Sequence, residues 1–244
     1  MITHQKTVQN TNSESLLYPS AQVYDWGSTL VVSPHPNAEV LGCGGAMALL
    51  RQIGFRVHLL FIGDELELTD SNQVSPEEGK PEIYQRVEQV GISDDAIISL
   101  NLRNEFIPLR STPGFDEAVR LFLNELESFQ PDTILLPFAD QGSQDVQATW
   151  QIARQAASQS YYPIRMVEYG LWSRISAGIN TGQAVNQSRI WRLDIKEVID
   201  QKSRALEGYG QSEYQFPWRN SQQELLVHQA NPWEVYLEYV SDEA

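Results

Sequence analysis

From Thr29 onward the chain alternates short apolar runs with longer stretches whose apolar residues recur at helical spacing. Leu30-Val31-Val32 is apolar without a break and predicts a strand buried on both faces, as does the run 55–62 (FRVHLLFI). Between them, Glu39 to Ile53 sets Val40, Met47 and Leu50 on one helical face. A second helix is predicted from Pro76 to Val90, with Pro76 suited to the first turn and Gly91 placed just past the last. Ala96 to Leu100 reads as a strand and Gly114 to Phe129 as a helix, with Phe115, Val119, Phe122, Leu123 and Leu126 on its buried face. Thr133 to Leu136, between Pro131 and Pro137, reads as a strand and Asp145 to Ser158 as a helix. Beyond Tyr161 the pattern loosens: strands are predicted over Met166 to Trp172 and Ile190 to Leu193, a helix over Lys196 to Glu207, and a loop over 180–188 (NTGQAVNQS).

Strands joined by helices of this length imply parallel crossovers. The expected fold is α/β: a doubly wound, Rossmann-like, mostly parallel sheet with helices on both faces. In such a sheet ligands sit beyond the carboxyl ends of the strands. Two loops with unusual residues fall there, Ser33 to Gly45 and Pro137 to Gln147. Residues 1–20 are polar and aperiodic and read as a mobile tail or an arm lying on the surface, leaving 21–244 as a single domain.

Composition narrows the partners. The 17 basic against 32 acidic residues give a net charge of −15, which speaks against nucleic acid or an anionic membrane surface, since binding there rests on basic groups that displace counterions. No stretch approaches the roughly 18 apolar residues of a membrane helix, and no basic-then-apolar leader opens the sequence, so the expected location is cytoplasmic. A single cysteine, Cys43, excludes a disulfide framework or a multi-cysteine metal site. The four histidines are His4, His35, His58 and His228, so a histidine-based metal site has little to draw on.

The loop Ser33-Pro34-His35-Pro36-Asn37-Ala38-Glu39-Val40-Leu41-Gly42-Cys43-Gly44-Gly45 resembles the signature of the PIG-L or LmbE-like family, zinc-dependent N-deacetylases of N-acetylglucosaminyl compounds. Their loop reads His-Pro-Asp-Asp-Glu before a Gly-rich helix start. The likeness continues in order: Phe61-Ile62-Gly63-Asp64-Glu65 is similar to the end of the family's second strand, Glu82 to Gly91 to its Glu-containing helix, and 131–137 (PDTILLP) to its fourth strand. Lys202-Ser203-Arg204-Ala205-Leu206 with Tyr209 and Gln211 is similar to its late Lys-x-x-Ala-x-x-x-Tyr element, so the resemblance spans Tyr24 to Trp218.

The resemblance implies a zinc ion with three protein ligands and one open position, where bound water becomes hydroxide near neutral pH and attacks an amide. In the family the first loop supplies a His and its second Asp as ligands and its first Asp as base. A His-x-Asp-His element supplies the third ligand and an oxyanion-stabilising His. Here His35 stands at the first ligand position, but Asn37 replaces the base and Ala38 the carboxylate ligand. Ser143-Gln144-Asp145-Val146 fills the second element, leaving Ser143 at the oxyanion position, Asp145 as a relic and Val146 at the third ligand position. Gly79 aligns with the family's substrate-clamping Arg, with Lys80 beside it. An amide such as Asn37 is no base. Losing two of three ligands goes far beyond changes to the groups that hydrogen-bond the ligands, which already cost roughly 10- to 100-fold. The expected protein is a catalytically inactive homologue, without zinc, whose pocket includes His35, Asn37, Ala38, Glu39, Lys80, Asp140, Ser143, Asp145 and Val146 and binds a sugar conjugate or a protein partner.

Other readings stay open. An active metal-dependent amidohydrolase with a rearranged site is one, and a structural or homo-oligomer-forming subunit with a filled pocket is another. A harder cation held by oxygen ligands from Glu39, Asp64, Glu65, Asp140 and Asp145 beside His35 is a third. Trp172, Trp191, Trp218 and Trp233 with Tyr161, Tyr162, Tyr169, Tyr209 and Tyr214 read as core residues or as a sugar-stacking surface. His58 and Cys43 read as core residues, and Gly42, Gly44 and Gly45 as a close helix-sheet contact rather than a dinucleotide fingerprint. An open pocket over His35 favours ligand binding, and a filled one favours the structural role.

Overall fold

The computed structural model describes residues 16–36, 38–63, 82–102, 107–139, 143–171, 188–207 and 229–239. Its eight strands are β1 (Leu16–Tyr18), β2 (Thr29–Ser33), β3 (Val57–Gly63), β4 (Ile97–Leu102), β5 (Thr133–Pro137), β6 (Arg165–Tyr169), β7 (Ser188–Asp194) and β8 (Trp233–Tyr239). The helices are α1 (Ala38–Gln52), α2 (Glu82–Glu88), α3 (Phe115–Phe129), α4 (Gln144–Gln159) and α5 (Ile199–Leu206). The strands form one sheet in the order β1-β7-β8-β6-β5-β2-β3-β4, in which β8 alone runs against its neighbours.

The apolar runs of β2, β3 and β5 are buried on both faces because successive side chains point opposite ways. Leu30, Val32, Leu60, Ile62, Ile134 and Leu136 meet α3 and α4 on one side. Val31, Leu59, Phe61 and Leu135 meet α1, α2 and α5 on the other. The fold is therefore the expected mostly parallel α/β sheet with helices on both faces. The predicted spacing on α3 is seen as buried Phe115, Ala118, Val119, Phe122, Leu126 and Phe129.

The segment ending at Ser20 contributes β1, which pairs in parallel with β7 from the far end of the sequence, and a 3-10 turn over Ser20–Asp25 follows and buries Val23. Local polarity cannot reveal a pairing of such long range. Beyond the last predicted helix lies β8, for which no strand is predicted and which inserts between β6 and β7. Of the helix predicted from Pro76, the described part is Glu82–Glu88.

β2 and β5 are neighbours, paired through Thr29↔Thr133, Leu30↔Ile134 and Val31↔Leu135. From β2 the chain enters α1 on one face of the sheet, and from β5 it enters α4 on the other. The two loops suspected from the sequence thus leave side by side at the point where the winding reverses, where a doubly wound sheet opens a crevice.

Candidate functional site

His35 lies just beyond β2 and is 3% exposed. Its backbone is held by Ser33 Oγ, which donates to the His35 carbonyl at 2.5 Å. Beneath it, Tyr169 Oη donates to the Val32 carbonyl at 2.8 Å. Burial raises the Tyr169 phenol well above its usual pKa, so it stays a donor.

Across the crevice, Ser143 caps α4 by accepting from the Val146 N–H at 3.2 Å. Asp145, in the first turn, is 5% exposed, and its Oδ2 stands 3.1 Å from His35 Nε2. Its Oδ1 accepts no hydrogen bond among the described residues, and Thr149 Oγ1, one turn further along α4, is likewise buried without a partner. Ala38, Glu39 and Val146 are 2%, 0% and 1% exposed, and Ala38 and Val146 belong to the same apolar cluster.

Of the nine residues expected at the pocket, the structure therefore brings His35 and Asp145 into contact and sets Ala38 and Val146 in the core. Glu39 is buried near the start of α1, and Ser143 serves as a helix cap. Asn37, Lys80 and Asp140 lie outside the described residues, as do Asp64 and Glu65. A three-ligand zinc centre needs donors at three converging positions. Ala38 and Val146 carry none, and no group of three or more His, Cys, Asp or Glu side chains gathers at one point among the described residues. The described donor set does not fit zinc.

Behind this site α1 is broken at Cys43, whose φ of −143° and ψ of 24° are non-helical. The glycines on either side of the break pack closely: a Cβ on Gly42 would overlap the Tyr169 ring, and one on Gly45 would stand 2.7 Å from Ile195 Cγ2. The break frees backbone groups that need partners. Glu234 of β8 accepts from Gly45 N at 2.7 Å and Ala46 N at 3.0 Å, from Lys202 Nζ at 2.6 Å and from Tyr236 Oη at 2.8 Å. Lys202 Nζ also donates to the Leu41 carbonyl at 2.9 Å. Burial, then the Glu234 and Glu39 carboxylates, push the Cys43 thiol well above its usual pKa, so it is an inert core group.

The sequence places Lys202 in a motif without a role and does not single out Glu234, Tyr236 or Thr149. Lys202 stands among the polar residues Asp200, Gln201, Ser203 and Arg204, so nothing local marks it as buried. Of the aromatic residues considered for sugar stacking, Trp191 and Tyr169 are core residues at 2% and 0% exposure, whereas Tyr161 is 71% exposed. Trp172, Trp218, Tyr209 and Tyr214 lie outside the described residues. His58 is partly buried and stacks on Phe129 with ring centroids 4.0 Å apart, away from the crevice.

No family model matches the chain, and no curated protein matches it in sequence. Solved structures do. The conserved protein TT1542 from Thermus thermophilus aligns with a TM-score of 0.61 at 20% identity, over 88% of this chain and 94% of that one. The N,N'-diacetylchitobiose deacetylase from Pyrococcus horikoshii aligns with a TM-score of 0.53 at 18% identity, over 76% of this chain and 70% of that one. The chain has the fold of that deacetylase. GalB, the 4-carboxy-2-hydroxymuconate hydratase of Pseudomonas putida, aligns with a TM-score of 0.56 at 17% identity, over 89% of this chain and 98% of that one. One fold thus carries both a deacetylase and a hydratase, and the reaction must be argued from the residues in the crevice. No described helix is long and apolar enough to cross a membrane.

Proposed function

We propose that this chain is a non-hydrolytic member of the PIG-L/LmbE-like deacetylase family, one that binds a sugar conjugate or a protein partner without zinc. One observation carries the reading. At the position of the family's first zinc ligand, His35 Nε2 is engaged by Asp145, while buried Ala38 and Val146 stand at the other two ligand positions. Asn37 at the base position adds that no carboxylate waits there to take a proton from water. The shared fold with a diacetylchitobiose deacetylase supports a sugar conjugate as the ligand class.

A rearranged metal-dependent amidohydrolase is the second reading, favoured by the convergence of two potential donors, His35 Nε2 and Asp145 Oδ2, at 3.1 Å. Zinc titration by calorimetry, with acetate release from N,N'-diacetylchitobiose measured in the same samples, separates the two. The expected result is no zinc uptake at micromolar concentration and no acetate. Zinc-dependent acetate release that disappears in His35→Ala overturns the proposal.

A further inference from the structure

We infer that the His35–Asp145 pair is a clamp that does mechanically what a metal does in a three-ligand centre: it ties the β2–α1 loop to the start of α4 without an ion. The inference rests on the reading that zinc is not held here. Three features of the crevice support it.

The pair joins residues 110 apart in sequence, across the point where the two helices leave for opposite faces of the sheet. Through it the loop after β2 reaches the first turn of α4 directly, side chain to side chain. Both partners are fixed from behind. His35 is set by Ser33, and Asp145 sits in the first turn of a Ser143-capped helix, where the exposed amides and the helix dipole favour a carboxylate. The side chains are 4% and 7% exposed, so water competes poorly for the bond.

At the positions that the resemblance gives to the other two ligands, Ala38 opens α1 and Val146 lies in the first turn of α4, and both are buried in one apolar cluster. The polar clamp supplies direction and the apolar contact supplies area. Together they hold both loops at the places where metal ligands would otherwise join them.

The test uses the full chain in four forms: wild type, His35→Gln, Asp145→Asn and the double variant. Thermal melts and amide hydrogen exchange are recorded with EDTA and with added zinc. Each single substitution is expected to lower the midpoint by about 5 °C, and the double by no more than the worse single. Amides of His35, Ala38 and Glu39 and those at 143–148 should exchange at least tenfold faster in either single variant, so that loosening one loop loosens the other. EDTA and zinc should leave the wild type unmoved.

Additive losses, or faster exchange confined to the mutated loop, overturn the clamp while leaving the proposed function standing. A zinc-induced rise in the wild-type midpoint that vanishes in His35→Gln overturns the proposed function itself. If a single variant does not fold, His35→Leu combined with Asp145→Leu carries the test, because apolar groups fill both places. A folded double with a near-native midpoint supports a pair whose members matter only through each other, and an unfolded double overturns it.

Discussion

Two buried pairs flank α1, one a carboxylate with a lysine and the other a carboxylate with a histidine, and they are finished to different degrees. Behind the helix, the Glu234 carboxylate accepts from two backbone amides, Lys202 and Tyr236, and Lys202 in turn reaches the Leu41 carbonyl. In front of it, Asp145 meets His35 through one oxygen and leaves the other without a partner among the described residues. A buried carboxylate is tolerable when its lone pairs are filled and costly when they are not. The Glu234 network belongs to the frame, which needs it whatever the loops do. The Asp145 pair stands in the crevice between the loops that follow β2 and β5, and buried Ala38 and Val146 offer it no polar partner.

The largest expected effect is at the frame. Glu234→Leu strands Lys202 in the core and uncaps Gly45 and Ala46, and should destabilise by about 3–5 kcal/mol in urea unfolding. Asp145→Asn should cost about 1–3 kcal/mol, since one hydrogen bond to a histidine is lost from a group already half unpaired. Equal losses at the two positions would break the comparison and make the crevice as much a part of the frame as the brace behind it.

An intermediate effect separates the two regions by pH. Burial, then Glu234, raises the Cys43 thiol, and burial raises the Tyr236 and Tyr169 phenols, with Glu234 the next cause for Tyr236. The folded chain keeps these protons after the unfolded chain has released them, so the unfolded state binds fewer protons and stability falls as pH rises. The contribution is intact below the unfolded thiol pKa of about 8.5 and declines above it by up to about 1.4 kcal/mol per pH unit. The tyrosines add to the slope above about pH 10. Urea midpoints measured from pH 7 to 11 should fall in that order, and Cys43→Ala should move the onset toward pH 10. An onset unchanged by Cys43→Ala would mean that the thiol is not shielded as described.

The same contrast explains what could be read from the sequence. The central strands were legible because Leu30-Val31-Val32 and the run at 57–62 are apolar on both faces, and α3 because one face repeats at helical spacing. β8 was not. In Trp233-Glu234-Val235-Tyr236-Leu237-Glu238 the glutamates alternate with apolar residues, a pattern that assigns Glu234 to solvent. Its face is buried because Lys202 and the amides of a broken helix meet it there, and no local pattern encodes partners 32 and 189 residues away. β1 escaped for the same reason, being a three-residue strand that exists only against β7. In the crevice, the family resemblance drew attention to Ala38 and Val146, which the structure buries. That Asp145 turns to His35 was not, because it depends on the angle at which α4 leaves the sheet.

The smallest expected effect sharpens the comparison furthest. Thr149 Oγ1 is buried with no partner among the described residues one turn beyond Asp145, so its hydroxyl bears a desolvation cost with no hydrogen bond in return. Thr149→Val keeps the shape, removes the hydroxyl and should change stability by less than about 1 kcal/mol, toward greater stability. Tyr236→Phe removes one hydroxyl too, but from a carboxylate that accepts it at 2.8 Å, and should cost about 1–2 kcal/mol. Both substitutions remove a hydroxyl, and opposite signs would show that the Tyr236 hydroxyl is paired in solution while the Thr149 hydroxyl is not. A Thr149→Val loss as large as that of Tyr236→Phe would instead mean that Thr149 has a partner in solution, and the half-satisfied character assigned to Asp145 and its neighbourhood would have to be given up.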